Sequence, residues 1–159
     1  MKTLSVKQPF AYLLCAGIKD IENRSWRLPE KHRNEWVLVH ASKKPNADYS
    51  LSSMLSREQY KDAENRMMGL KALFATFDNS AIIGAVKYSD CVINHPSIWA
   101  EKTEGVMVGH TFVYKEGKKP IYNWVVSEAI LFDKPILNVK GKLSFWDFDL
   151  PEEYVKLLK

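Results

Sequence analysis

With 159 residues, 46% of them hydrophobic and 12% aromatic, the chain can bury a sizeable core as one domain over residues 1–159, which excludes a disordered protein. No apolar run approaches the roughly 20 residues of a membrane-spanning helix. The formal charge of +4 is uneven: residues 1–44 hold nine Lys or Arg against four Asp or Glu, and the remainder fourteen against fifteen. The positive excess lies wholly in the N-terminal segment, which points to an anionic partner such as a nucleic acid or nucleotide. Ordinary solubilising charge is the plain alternative.

Met1 leads into patterned sequence without a signal-peptide core, so a cytoplasmic protein is expected. Residues 8–17 are predicted helical: Pro9 suits the start, Ala11, Leu14, Cys15 and Ile18 recur at helical spacing, and Gly17 suits the stop. Ile18 to Trp26 reads as a strand with Ile21 inward, and residues 28–34 as a polar loop. Glu35 to Ala41 alternates and is Val-rich, hence a strand. Between Pro45 and Asn79 the period changes. Ser56 and Gln59 have capping-box spacing, and Tyr60, Ala63, Met67, Leu70, Leu73 and Phe74 continue a helical pattern punctuated by Gly69.

The rest is mostly β. Strands are expected over Ala81 to Tyr88, extended by Val92 and Ile93, then over Val106 to Tyr114 and Tyr122 to Phe132. Asp133, Lys134 and Pro135 should end the last of these, with short strands at 136–139 and 145–148 flanking Lys140-Gly141-Lys142, and a helical turn after Pro151. His95 to Trp99 reads as a turn. The fold class is α+β, a small β-barrel of about six strands with flanking helices. Cys15 and Cys91 lack a second Cys or a His at ligand spacing and read as buried reduced thiols.

Together, Gln8-Pro9-Phe10-Ala11, the Gly17-x-Lys19-x-x-Glu22-x-Arg24 element, Trp26, the His40-Ala41-Ser42-Lys43 strand end, Ile82-Ile83-Gly84, and Lys140-Gly141-Lys142 with Trp146 resemble the ASCH family, a branch of the PUA-like superfamily. The resemblance runs over residues 4–148. It implies a PUA-like β-barrel whose cleft holds the Gly-x-Lys motif and which binds RNA or another nucleic acid. Some members are amidohydrolases of acetylated cytidine whose nucleophile is a Thr at the position of Glu22; Glu22 cannot play that part. Others have been described as ribonucleases. The chain departs from the family pattern at Asn34 and at Ser144, where Gly is usual; Asn tolerates a left-handed turn.

Lys19, at a helix-to-strand junction, is a candidate phosphate or carbonyl-oxygen donor, or else a solvated Lys beside the end of the 9–16 helix. Glu22 and Arg24, two apart on a strand, share a face. They read as a structural ion pair, or as a carboxylate for a base amine beside a guanidinium for phosphate. Trp26, Trp124 and Tyr122 are candidate stacking platforms with a core role as the alternative. Ser42, Lys43 and Lys140 are candidates for the same cleft mouth; Lys140 and Lys142 flank Gly141, which would permit close backbone approach to a phosphate or else mark a plain turn with two solvated Lys. His40 reads as a hydrogen-bonded core residue.

No nucleophile elbow, Walker motif or dinucleotide fingerprint is present, and His32, His95 and His110 are scattered, so neither a cofactor nor a metal is expected. The expected function is binding of RNA or a nucleotide, with DNA as a further nucleic-acid partner and no membrane. Two alternatives stand. One is a hydrolase of a modified nucleoside or RNA with Lys19 as base and Glu22 as proton carrier. The other is a protein-interaction module using the late aromatic strands.

Overall fold

The structure, a computed structural model, describes residues 1–43, 51–67 and 77–159. In chain order the strands are β1 (Lys2–Val6), β2 (Ile21–Arg24), β3 (Trp36–Ala41), β4 (Ala81–Val92), β5 (Gly105–Val108), β6 (Thr111–Tyr114), β7 (Tyr122–Ile136) and β8 (Phe145–Asp147). The helices are α1 (Phe10–Cys15), α2 (Leu51–Met54), α3 (Arg57–Arg66) and α4 (Glu152–Val155), with single 3-10 turns at Glu30–His32 and Lys156–Leu158.

Local chemistry accounts for the helix ends. Ser56 accepts from the Gln59 backbone N–H while the Gln59 side chain accepts from the Ser56 N–H, the reciprocal capping box that starts α3. α1 stops at Gly17, whose φ of +69° suits a residue without a Cβ. The Ile18 and Lys19 amides then fold back onto Leu13 O, each at 2.9 Å. The helical pattern expected to continue through Gly69, Leu70, Leu73 and Phe74 lies outside the described residues.

Six strands form one mixed sheet in the order β2-β7-β4-β3-β1-β8, an α+β fold. β1 is parallel to β3; the other pairings are antiparallel. β1 was not expected as a strand, yet its burial alternates around Leu4 and Val6, with Thr3 also fully buried. The sheet curls strongly. β7 and β8 lie four places apart in it, but Trp124 of β7 stacks on Phe145 of β8 at 5.7 Å between ring centroids, and Arg24 of β2 reaches Ser5 O of β1 at 3.0 Å.

Strand alternation sorts the core into layers. Val37, Val39 and Ala41 of β3 and Ile83, Val86 and Tyr88 of β4 join Leu4, Val6 and Trp124 inside the curl, which α1 plugs with Ala11, Leu14 and Cys15. Leu38, Ile82 and Ala85 point the other way, against Phe132, Trp146 and Leu158. A third cluster joins Leu13, Ile18 and Ile21 to Leu55, Ala63 and Trp99. Gly84 is required where α1 crosses β4, since a Cβ there would lie 2.8 Å from Cys15 Sγ and closer still to Ile130 O.

Three expectations need correction. Residues 106–114 are a hairpin, because Gly109 at φ +61° occupies the first central position of a two-residue turn. β7 does not end at Asp133 but runs through Pro135; the register break between Ile82 and Gly84 accommodates a residue with no N–H. Residues 137–144 form a loop with Asn138 and Ser144 at positive φ. Asn34 also takes the left-handed conformation, at φ 60°.

Candidate functional site

Lys19 lies two residues before β2, and Glu22 and Arg24 lie on it. Glu22 and Arg24 share a face, facing Trp124 and Tyr122 in the register with β7. Lys19 is 4% exposed and Glu22 5%. Lys19 Nζ donates to Ile21 O and to Glu22 Oε2, the latter at 3.2 Å, and lies 5.7 Å from the Phe10 ring centroid. Glu22 Oε1 lies 2.9 Å from Arg24 Nε. One carboxylate therefore holds two cations, and only Arg24, its side chain 23% exposed, turns partly to solvent. The Lys19 side chain does not serve the end of α1, whose Leu13 and Leu14 carbonyls accept from the amides of Gly17, Ile18 and Lys19; Arg66 donates just beyond it, to Ile18 O at 2.8 Å and to Gly17 O.

Behind the trio, burial and then the Glu22 charge raise the Tyr88 phenol well above its ordinary range. Its hydroxyl is buried without a hydrogen-bond partner among the described residues.

Lys19, Glu22, Arg24 and Ser42 line one cleft of about 520 Å³. Its walls also include Lys7, Phe10, Trp99, Glu101, Lys142 and Ser144; of these only Lys142, beside Gly141, was read from the sequence as close to a possible phosphate. The 95–101 turn is held against β2 and β7 by two asparagines. Asn23 Nδ2 donates to Trp99 O at 2.9 Å, and Asn23 Oδ1 accepts from the Glu101 amide at 3.0 Å. Asn123 Nδ2 donates to Asn23 Oδ1 and to Glu101 O, and Asn123 Oδ1 accepts from the His95 amide. Asn23, inside the Gly-x-Lys element, was the signal that another segment had to be anchored there.

The remaining predicted residues lie elsewhere. Trp124 is fully buried, its indole N–H donates to Trp26 O at 3.2 Å, and Trp26, Tyr88 and Phe145 pack around it. It has no face to offer a base. Trp26, after the bend at Ser25 that follows β2, is half-buried and set edge-on to Trp124 and Phe145. The Tyr122 ring is covered by the Arg27 guanidinium, 4.8 Å from its centroid. Lys43 and Lys140 are exposed and do not line the cleft.

His40 is a core residue, 2% exposed, with Nε2 donating to Val139 O at 2.9 Å and Nδ1 3.1 Å from Ser5 Oγ. Burial lowers its pKa, against a raising contribution from the Val139 hydrogen bond. The Ser5 hydroxyl donates to Lys142 O at 3.0 Å, so Ser5 sits between His40 and the 137–144 loop. Gly141 is explained by this packing rather than by a phosphate. A Cβ there would stand 2.7 Å from His40 Nδ1 and 2.9 Å from Ser5 Oγ.

Among the described residues no group of three or more His, Cys, Asp or Glu is placed to hold a metal ion, and no helix is long and apolar enough to cross a membrane. Cys15 is buried and Cys91 half-buried, both free, with burial pushing the Cys15 thiol far up.

The ASCH domain family matches residues 4–136 of the chain. Among solved structures the chain is similar to the crystal structure of a serine-to-alanine mutant of ZmASCH from Zymomonas mobilis. The two share 14% identity and a TM-score of 0.49, over 99% of this chain and 92% of that one. No curated protein matches the chain.

Proposed function

The chain belongs to the ASCH domain family, and from that premise we propose that it is a single-domain cytosolic protein that binds RNA or a nucleotide in the cleft between β1 and β2. One observation carries the reading: the buried Lys19–Glu22–Arg24 trio lies in the wall of a cleft that also takes up Lys7 and Lys142. Excess cationic charge in a concave, partly apolar site favours an anionic ligand with a flat ring. Arg24 supplies a guanidinium to phosphate or a base oxygen, and Glu22 presents acceptor oxygens to a base amine.

The hydrolase alternative would need Lys19 as a base. Two of its three ammonium donors are already engaged, by Ile21 O and Glu22, so binding is the reading we adopt. Fluorescence anisotropy with labelled single-stranded RNA, alongside DNA of the same sequence and unlabelled nucleotides as competitors, tests it. Binding to RNA or nucleotide should weaken by about tenfold in Arg24→Ala, the loss of one charge-assisted contact. No binding of RNA, DNA or nucleotides by the wild-type protein would overturn it.

A further inference from the structure

Resting on that reading, we propose that the cleft takes one nucleotide unit and holds its phosphate at the C-terminal end of β1. Leu4 pairs with Phe145 and Val6 with Ala41. The residues that follow therefore run side by side, Lys7 flanked by Ser42 on one side and by the 142–144 segment on the other. Three hydrogen bonds tie these segments to the strand end: Ser42 N–H to Val6 O at 2.9 Å, Ser5 Oγ to Lys142 O at 3.0 Å, and Arg24 Nη2 to Ser5 O at 3.0 Å.

Lys7, Arg24, Ser42, Lys142 and Ser144 all line the cleft here. The Glu22 charge is balanced within the trio, and among the described residues no carboxylate pairs with Lys7 or Lys142 and no partner engages the Ser42 or Ser144 hydroxyl. Ser144 keeps its hydroxyl at φ 58°, a conformation glycine adopts without strain. Three cations and two hydroxyls around one strand end match the charge and donor needs of a phosphate.

Dimensions and aromatic placement limit the ligand to one unit. A cleft of about 520 Å³ falls inside the small-molecule range of roughly 300–1,000 Å³. A groove for a continuous strand presents successive rings to successive bases. Here Phe10 is the partly exposed ring in the wall; Trp99 is 2% exposed within a core cluster, and Trp26, Tyr122 and Trp124 are packed or covered. The unit is either a free nucleotide or the phosphate-bearing end of an RNA.

The test is calorimetric titration of the wild-type protein with each ribonucleoside 5′-monophosphate, its parent nucleoside, inorganic phosphate, and one short RNA with or without a terminal phosphate. The monophosphate should bind about tenfold tighter than its nucleoside. The exposed pair change Lys7→Ala with Lys142→Ala should erase that gap and leave nucleoside affinity unchanged. Ser144→Gly, which relieves the backbone, should narrow the gap without loss of stability. Terminally phosphorylated RNA matching the monophosphate assigns the strand end as ligand; a monophosphate that outbinds both RNAs assigns the free nucleotide. Equal affinity for monophosphate and nucleoside overturns the phosphate site. RNA binding with a salt slope of several phosphate contacts, about 0.7 log units each, overturns the single-unit claim; both results leave RNA or nucleotide binding standing. No binding by any of these ligands overturns the parent reading with it.

Discussion

Glu22→Gln removes the one negative charge that stands between two cations. Lys19 Nζ lies 3.2 Å from Oε2 and Arg24 Nε 2.9 Å from Oε1. The Lys19 and Glu22 side chains are 5% and 6% exposed, whereas Arg24 keeps 23% and with it some hydration. Removing one partner of a buried pair costs about 3–5 kcal/mol, because the charge left behind stays desolvated. Two features pull the figure to the low end. Solvent screens part of the Arg24 charge, and the Gln carbonyl still accepts from Lys19.

We therefore expect a loss of about 3 kcal/mol, a substantial fraction of the roughly 5–15 kcal/mol by which native domains are stable. For a chain of this length that lowers Tm by roughly 6–12 °C. The assay is urea denaturation followed by the fluorescence of the five tryptophans. Glu152→Gln, whose pair with Lys156 is exposed on both sides, is the control and should leave the midpoint unchanged. Replacing both buried partners, Lys19→Met with Glu22→Leu, should recover part of the loss, since the Lys19 charge is no longer stranded and only the partly exposed Arg24 loses its carboxylate. A Glu22→Gln protein within about 0.5 kcal/mol of its parent would refute the burial argument.

Further outcomes follow from the same structure. Burial holds the His32 and His40 pKa values below 6.5. The unfolded chain therefore binds more protons in the acid range, and stability should fall as pH drops below about 6.5 and level off above it. Urea midpoints across that range check the sign; His40→Gln should flatten the acid limb, and a midpoint that rises on acidification contradicts the assignment. Gly141→Ala should cost about 1–3 kcal/mol by overpacking against His40 and Ser5; a neutral result in the same assay would mean the loop does not pack as described. Trp124→Phe should lower stability while leaving nucleotide affinity within about twofold; a selective loss of binding would return Trp124 to the ligand site.

Much of the fold was legible because it rests on short-range chemistry. The Gly17 stop, the Ser56–Gln59 capping box, the alternation of β3 and the shared face of Glu22 and Arg24 are each settled by residues a few positions apart. The misread elements depend on distant partners. β1 is a strand because β3 and β8 flank it, and β7 continues through Pro135 because β4 breaks register opposite it. The hairpin at 105–114 turns on one glycine whose φ no periodicity reports.

The same division holds for the cleft. Residue order alone brought Lys19, Glu22 and Arg24 within reach of one another, since a helix stop followed by a strand leaves them little other choice. Which aromatic rings face a ligand was not readable in that way. Trp26, Trp99 and Trp124 carry the same indole, and only the closed chain packs all three into the core clusters and leaves Phe10 as the partly exposed ring of the cleft. Likewise Lys7, Ser42 and Lys142 meet because β1, β3 and the 137–144 loop converge through long-range hydrogen bonds. Local propensity acts over a turn or a strand; burial and approach are properties of the closed chain, and they decided where the free charge gathers.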